Sequence, residues 1–307
     1  MSLKEKILDP SIPLTFFEMV PPAEKLGSIP LALAEARKVR HLVDAINLPE
    51  IRDESRGSPR TIKFIPRVEP RVLGERLRRE VDVDIVLNRA VVYEADPITW
   101  FRQSHAQFGV DHVILVGGES SQVQYPGPTV LEAAEHVRAA ELPISLGGIS
   151  IPSRPREAER VRRKCAAGLH FFTTQVLFDS NDIVWLVQRL NGLEARIFLS
   201  FAPVSHPRDL EFLRWLGADI PDDLDKFLLR GHTGAEGSPV AHESCLERSL
   251  NLAQRILMDV FDNLPPDPPP LGLNIEHINQ RNLAGAIKMV ERLGELYANL
   301  VAARARV

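Results

Sequence analysis

A chain of 307 residues is longer than most domains but within the range of a single α/β barrel, and 44% hydrophobic with 25% charged residues excludes a disordered chain. Its 37 basic and 41 acidic residues give a formal net charge of -4, which offers no field to a phosphate backbone, so no nucleic-acid partner is expected. Two cysteines, Cys165 and Cys245, lie far apart without Cys/His spacing, which argues against a disulfide framework and against a metal site.

The opening MSLKEKILDPSIP lacks the apolar core of a signal peptide, and no run approaches the roughly 18 apolar residues of a membrane helix. A cytoplasmic protein without a membrane partner is expected. Short β-branched or aromatic runs then recur at 14–19, 43–48, 84–91, 112–116, 143–147, 170–175, 195–200 and 271–276, each followed by a turn and a helical stretch. Such alternation calls for parallel strands with helices outside, and eight strands close a barrel. The expectation is a (β/α)₈ TIM barrel filling 1–307 as one domain.

The intervening segments fit this pattern. The basic run 71–79 alternates with Leu73 and Leu77 at helical spacing and reads as a solvated helix face. Helices are predicted at 97–108, with Ile98, Phe101 and Phe108 on one side, and at 155–167, with Ala158 and Val161 apolar. Others are predicted at 181–190 and 239–263, and Ser153 and Ser180 are the start signals for 155–167 and 181–190. The segment 61–68 looks like a strand but would be a ninth, so it is placed as an extension on the rim after strand two. Gly-rich 230–238 reads as a loop near the mouth.

In such a barrel the reactive groups sit at the C-terminal ends of the strands. Those ends carry Glu18, Asn47, Glu50, Asn88, Arg89, Glu119, Ser150, Gln175, Ser205, Glu276 and His277. Glu18 follows aromatic residues and precedes Met-Val-Pro-Pro, a dry setting that raises proton affinity and suits a general acid, although a rim carboxylate paired with Arg would look the same. Gln175 offers one acceptor and two donors in a plane, matching the amide edge of a pterin or a similar heterocycle; a loop cap is the alternative. Glu119, after Gly117 and Gly118, can accept from an amino group or serve as a helix-start carboxylate. On strand eight Asn274 and Glu276 share a face and His277 takes the other. No dinucleotide fingerprint or P-loop occurs.

FEMVPP at 17–22 is similar to F-E-F-F-P-P, and RVRRKCAAGLHFFTTQVLFD at 160–179 is similar to L-K-x-K-x-x-A-G-A-x-F-x-I-T-Q-x-F-F-D. VDHVILVGGES, FAPVSHP and IPDDL add weaker matches in the same order. With these blocks the chain resembles the methylenetetrahydrofolate reductase family. That resemblance implies reduction of 5,10-methylenetetrahydrofolate to 5-methyltetrahydrofolate, a step toward methionine biosynthesis, with Glu18 as the acid that opens the five-membered ring. It also implies Glu119, Gln175, Phe178 and Glu276 as substrate-binding, and Asn47, Asn88, Gly118, Ser150 and His277 as cofactor-binding. Three of the family's flavin-contacting segments are replaced here by NLPEIRDESRG, VLNRAV and GGISIPSRP. The hydride is therefore expected from NAD(P)H, either through FAD or directly. The partner is a folate or pterin small molecule, with a homo-oligomer open. A pterin-dependent methyl transferase and a non-catalytic pterin-binding subunit remain as alternatives.

Overall fold

Eight parallel strands pair in sequence order and close on themselves in the computed structural model, which describes residues 1–25, 27–53, 63–118, 123–230, 239–278 and 280–304. They are β1 (Thr15–Met19), β2 (Ala45–Leu48), β3 (Asp84–Ala90), β4 (His112–Val116), β5 (Ser145–Ser150), β6 (Leu169–Thr174), β7 (Arg196–Phe201) and β8 (Leu271–His277). The helices are α1 (Leu3–Leu8), α2 (Ser28–Val39), α3 (Pro70–Val81), α4 (Pro97–Phe108), α5 (Val130–Ala139), α6 (Glu157–Ala166), α7 (Asn181–Arg189), α8 (Pro207–Trp215), α9 (Asp222–Leu228), α10 (Pro239–Asp262) and α11 (Leu283–Arg304). This is a TIM barrel, and among the described residues no helix is long and apolar enough to cross a membrane.

Strand alternation divides the apolar residues into two sets. Phe17, Ile46, Leu87, Leu115, Phe172, Leu199 and Leu273 face the helix layer, whereas Phe16, Ala45, Val86, Ile114, Phe171 and Phe198 fill the lumen. In the lumen Phe16 stacks on Phe198 at 3.9 Å between ring centroids, and Phe171 meets Phe16 edge-on at 6.3 Å. Gly272 and Gly147 leave room for these rings, since a Cβ at either position would run into Phe198 or Phe171.

The N-terminal end of the barrel is closed by α1, which adds Leu3 and Ile7 to the luminal cluster. Ser2 and Glu5 form a capping box that starts this helix. At its other end the fully buried Arg196 donates to the carbonyls of Lys6, Ile7, Asp9, Ile12 and Leu271. The Tyr297 hydroxyl donates to the Leu271 carbonyl at 2.7 Å.

Each predicted strand run coincides with an observed strand, with shifts at the ends. The largest is in β5, which continues past the expected end at Gly147 to Ser150, with Gly147 and Gly148 pressed by Phe171 and Phe172. Ser153 does not start α6. The chain turns through Arg156 in the left-handed region at φ 61, and the buried Glu157 carboxylate accepts from the Ile151 N–H at 3.1 Å. Ser180 stands before α7, but its hydroxyl donates to Asp259 at 2.8 Å, and Asp179 accepts the Asn181 N–H at 2.7 Å instead. Of the segment 61–68, residues 61 and 62 lie outside the described set and the rest contributes one isolated antiparallel bridge, Arg67 to Ala23, not a strand. On α3, Leu73 and Leu77 are buried while Arg76 and Arg79 pair with Glu80 and Glu75 on the outer face.

Candidate active site at the C-terminal mouth

Because Phe16 lies in the lumen, Glu18 two residues on points into the same lumen one layer nearer the mouth. The same parity holds on β8, where Gly272 backs onto Phe198, so Asn274 and Glu276 face inward. His277 faces the other way and stacks on Phe17 at 5.9 Å. Barrel closure pairs β8 with β1 and sets Glu276 beside Glu18, while β2 sets Asn47 on the opposite flank. Both carboxylate residues are half-buried, deep in the mouth yet reachable from it.

Three amides surround Glu18. Asn47 Nδ2 donates to Glu18 Oε2 at 2.9 Å, and Asn274 and Asn88 also hydrogen-bond the carboxyl. Asn274 Nδ2 donates to Ser200 Oγ at 3.0 Å, and Ser200 in turn bonds Glu276. Burial raises Glu18 from the ordinary carboxyl range to about 7, against the downward pull of Asn274 and Asn88. Glu276 is pushed well above that range, first by burial and then by the neighbouring Glu18 charge. Having turned their N–H groups to the carboxyl, Asn47, Asn88 and Asn274 each keep Oδ1 buried and without a donor. A buried acceptor left unpaired costs on the order of 1–3 kcal/mol, so three in one ring make this part of the barrel costly to stability.

The other positions singled out from the sequence lie elsewhere. Gln175 spends its amide within the protein: Nε2 donates to the Leu216 carbonyl at 3.0 Å and Oε1 accepts the Val176 N–H at 2.9 Å. Phe178 is buried in a second apolar cluster with Val176, Val204, Leu210 and Leu213, beneath α8. Ser150 shares the outward face of Leu146 and Gly148, with its Oγ buried, and its carbonyl accepts the Gln175 N–H at 2.8 Å. Glu119 lies outside the described residues. The structure thus brings together Glu18, Glu276, Asn47 and Asn88, and adds Asn274 and Ser200. Closure of strand eight onto strand one, combined with period-two parity, is the signal in the sequence that points to the Glu18–Glu276 pairing.

On the rim above β2 to β4, ion pairs and rings line a cavity of about 160 Å³ that includes Glu50, Arg89, Glu94 and Trp100. Glu50 accepts from Arg89 at 2.8 Å, Arg52 at 2.6 Å and the Ala90 N–H at 2.9 Å. Arg89 also pairs with Glu94 and lies 4.7 Å over the Trp100 ring. Arg52 covers Tyr93, Tyr93 meets Tyr125 edge-on, and Tyr125 packs so closely on Gly118 that no Cβ fits there. Asn47 and Asn88 face the lumen, Gly118 lies under Tyr125, and Ser150 and His277 face outward, so the five positions do not form one common surface. Among the described residues no group of three His, Cys, Asp or Glu is placed to hold a metal.

No family model and no curated protein matches the sequence. Among solved structures, an uncharacterized protein from Clostridium thermocellum that binds two copies of 5-methyl-5,6,7,8-tetrahydrofolic acid superposes with a TM-score of 0.73 at 18% identity, covering 96% of this chain and 100% of that one. That likeness is one of fold. A 2,3-dimethylmalate lyase (TM-score 0.47, 12% identity, 96% of this chain and 85% of that one) and a dihydropteroate synthetase (0.46, 14%, 94% and 96%) share the general outline.

Proposed function

We propose that the mouth binds a reduced folate and that the protein reduces 5,10-methylenetetrahydrofolate to 5-methyltetrahydrofolate, with Glu18 as the acid. The observation that carries this reading is an inward-facing carboxyl, raised by burial to about 7, inside a ring of amides whose oxygens lack N–H donors. A pterin presents an amino group and a ring N–H to such acceptors. Support also comes from the folate-binding barrel of the same shape and from the FEMVPP and TTQVLFD blocks.

Glu18 gives its proton to a nitrogen of the five-membered ring. The bond from that nitrogen to the methylene carbon breaks, and its electron pair stays on the nitrogen. The methylene carbon is then a cationic iminium that accepts hydride. NAD(P)H, when bound, would supply that hydride, with Asn88 Oδ1 as an acceptor that could hold its carboxamide while Asn47 and Asn274 take the pterin. Asn47 and Asn88 steady the Glu18 carboxylate after the proton has left. No step runs through a flavin.

The test follows the loss of dihydronicotinamide absorbance with purified protein, with and without methylenetetrahydrofolate and with and without added FAD, alongside calorimetric titration of 5-methyltetrahydrofolate. Folate-dependent oxidation unaffected by FAD is expected. Oxidation that requires FAD would overturn the direct route. Binding without oxidation would move the reading to methyl transfer or a pterin-binding subunit, and no binding would end it.

A further inference from the structure

We propose that Glu276 is a positioning residue for the catalytic proton: it and Glu18 hold one proton in common across the seam where the barrel closes, so that Glu18 stays supplied above the pH at which it would lose its proton alone. The inference rests on the reading of Glu18 as the acid.

The geometry is that of adjacent strands. Glu18 and Glu276 are register partners on β1 and β8, both inward-facing, with parallel strands about 4.8 Å apart. Carboxyls that close in a dry setting cannot both ionise readily, and their protons leave in two steps that belong to the pair. The groups facing the pair are Asn47 of β2, Asn88 of β3, Ser200 of β7 and Asn274 of β8, all uncharged. His277 is turned to Phe17 on the far side of β8, and among the described residues no cation acts on either carboxyl. With no arginine or lysine among the described residues to favour the doubly charged state, the pair keeps its last proton well above the ordinary carboxyl range.

The consequence for the reaction is a relay. When Glu18 releases its proton to the ring nitrogen, Glu276 passes its own to Glu18 and becomes the carboxylate, stabilised by Ser200. Solvent at the mouth then returns one proton to the pair. The count balances at one proton in and one out per turnover.

Two measurements test this. In Glu276→Gln a single carboxyl remains, so the alkaline limb of kcat/KM should fall to the region of 7 set by Glu18, at least about one pH unit below wild type, with a loss of roughly tenfold at the alkaline end that shrinks toward acid. A loss uniform in pH, or an unmoved limb, would make Glu276 a binding or packing residue and overturn the proposal. The second measurement needs neither variant nor ligand: NMR of isotope-labelled glutamate carboxyls in the wild-type protein should show two coupled titrations, one near 7 and the second raised further by the charge left by the first. Deprotonation of both below neutral pH would overturn it. The carboxyl titration is independent of folate turnover, so this idea and the folate reading fail separately.

Discussion

The two ends of the barrel solve the burial of polar groups in opposite ways. At the N-terminal end a single guanidinium, Arg196, answers five backbone carbonyls and ties α1 into place as a plug. At the C-terminal end two carboxyls sit side by side and three amide oxygens go without donors. The first arrangement is what stability alone would select, apart from His112, whose Nε2 is buried without a partner. The second costs stability and makes sense as a site held ready for a ligand.

Substitutions at the two ends should therefore separate activity from stability. The largest expected effect is on activity: Glu18→Gln, measured by steady-state kinetics, should lower kcat by about 10²–10⁴-fold with the melting temperature unchanged or raised, because a buried ionisable group is exchanged for a neutral one. Next, Arg196→Ala should destabilise the fold by roughly 3–5 kcal/mol in denaturant titration, since five carbonyls each lose the guanidinium as a donor. Turnover per folded molecule should survive it. Smaller still, Asn47→Leu should change stability by less than about 1 kcal/mol but weaken 5-methyltetrahydrofolate binding about tenfold, roughly 1.4 kcal/mol.

Acidity offers a finer contrast, because the ends carry opposite signs. Burial holds His112 down to about 4, so the stability it contributes is present above the ordinary imidazole range and is lost as pH falls through 4. Glu18 is raised to about 7, so its contribution is present at acid pH and is lost as pH rises through 7. Melting curves across this range should show Glu18→Gln flattening the alkaline decline and His112→Gln the acid one. Equal slopes in wild type and both variants would remove the opposition between the ends.

The barrel itself is legible in the sequence because its strands are short, apolar and evenly spaced. Local signals fail where tertiary contacts decide. The fifth strand is expected to end at Gly147, but it runs on through Gly148 to Ser150 because both glycines make room for phenylalanine rings, and the Ser2–Glu5 box that starts the plug looks like an ordinary N-terminal segment. At the site, Glu18, Asn47, Asn88 and Glu276 are visible as polar strand ends, whereas their common surface depends on closure between the first and last strands. Gln175 shows the limit most clearly. Its amide is committed to Leu216, 41 residues away, a contact no local pattern announces.

Whether the mouth is a folate site is decided by a crystal structure of the protein soaked with 5-methyltetrahydrofolate. The pterin is expected in the C-terminal mouth, with its N–H groups on the Oδ1 atoms of Asn47, Asn88 or Asn274 and its ring nitrogens beside Glu18. A pterin bound elsewhere on the barrel, with these oxygens still unpaired, would contradict that placement and the role given to Glu18.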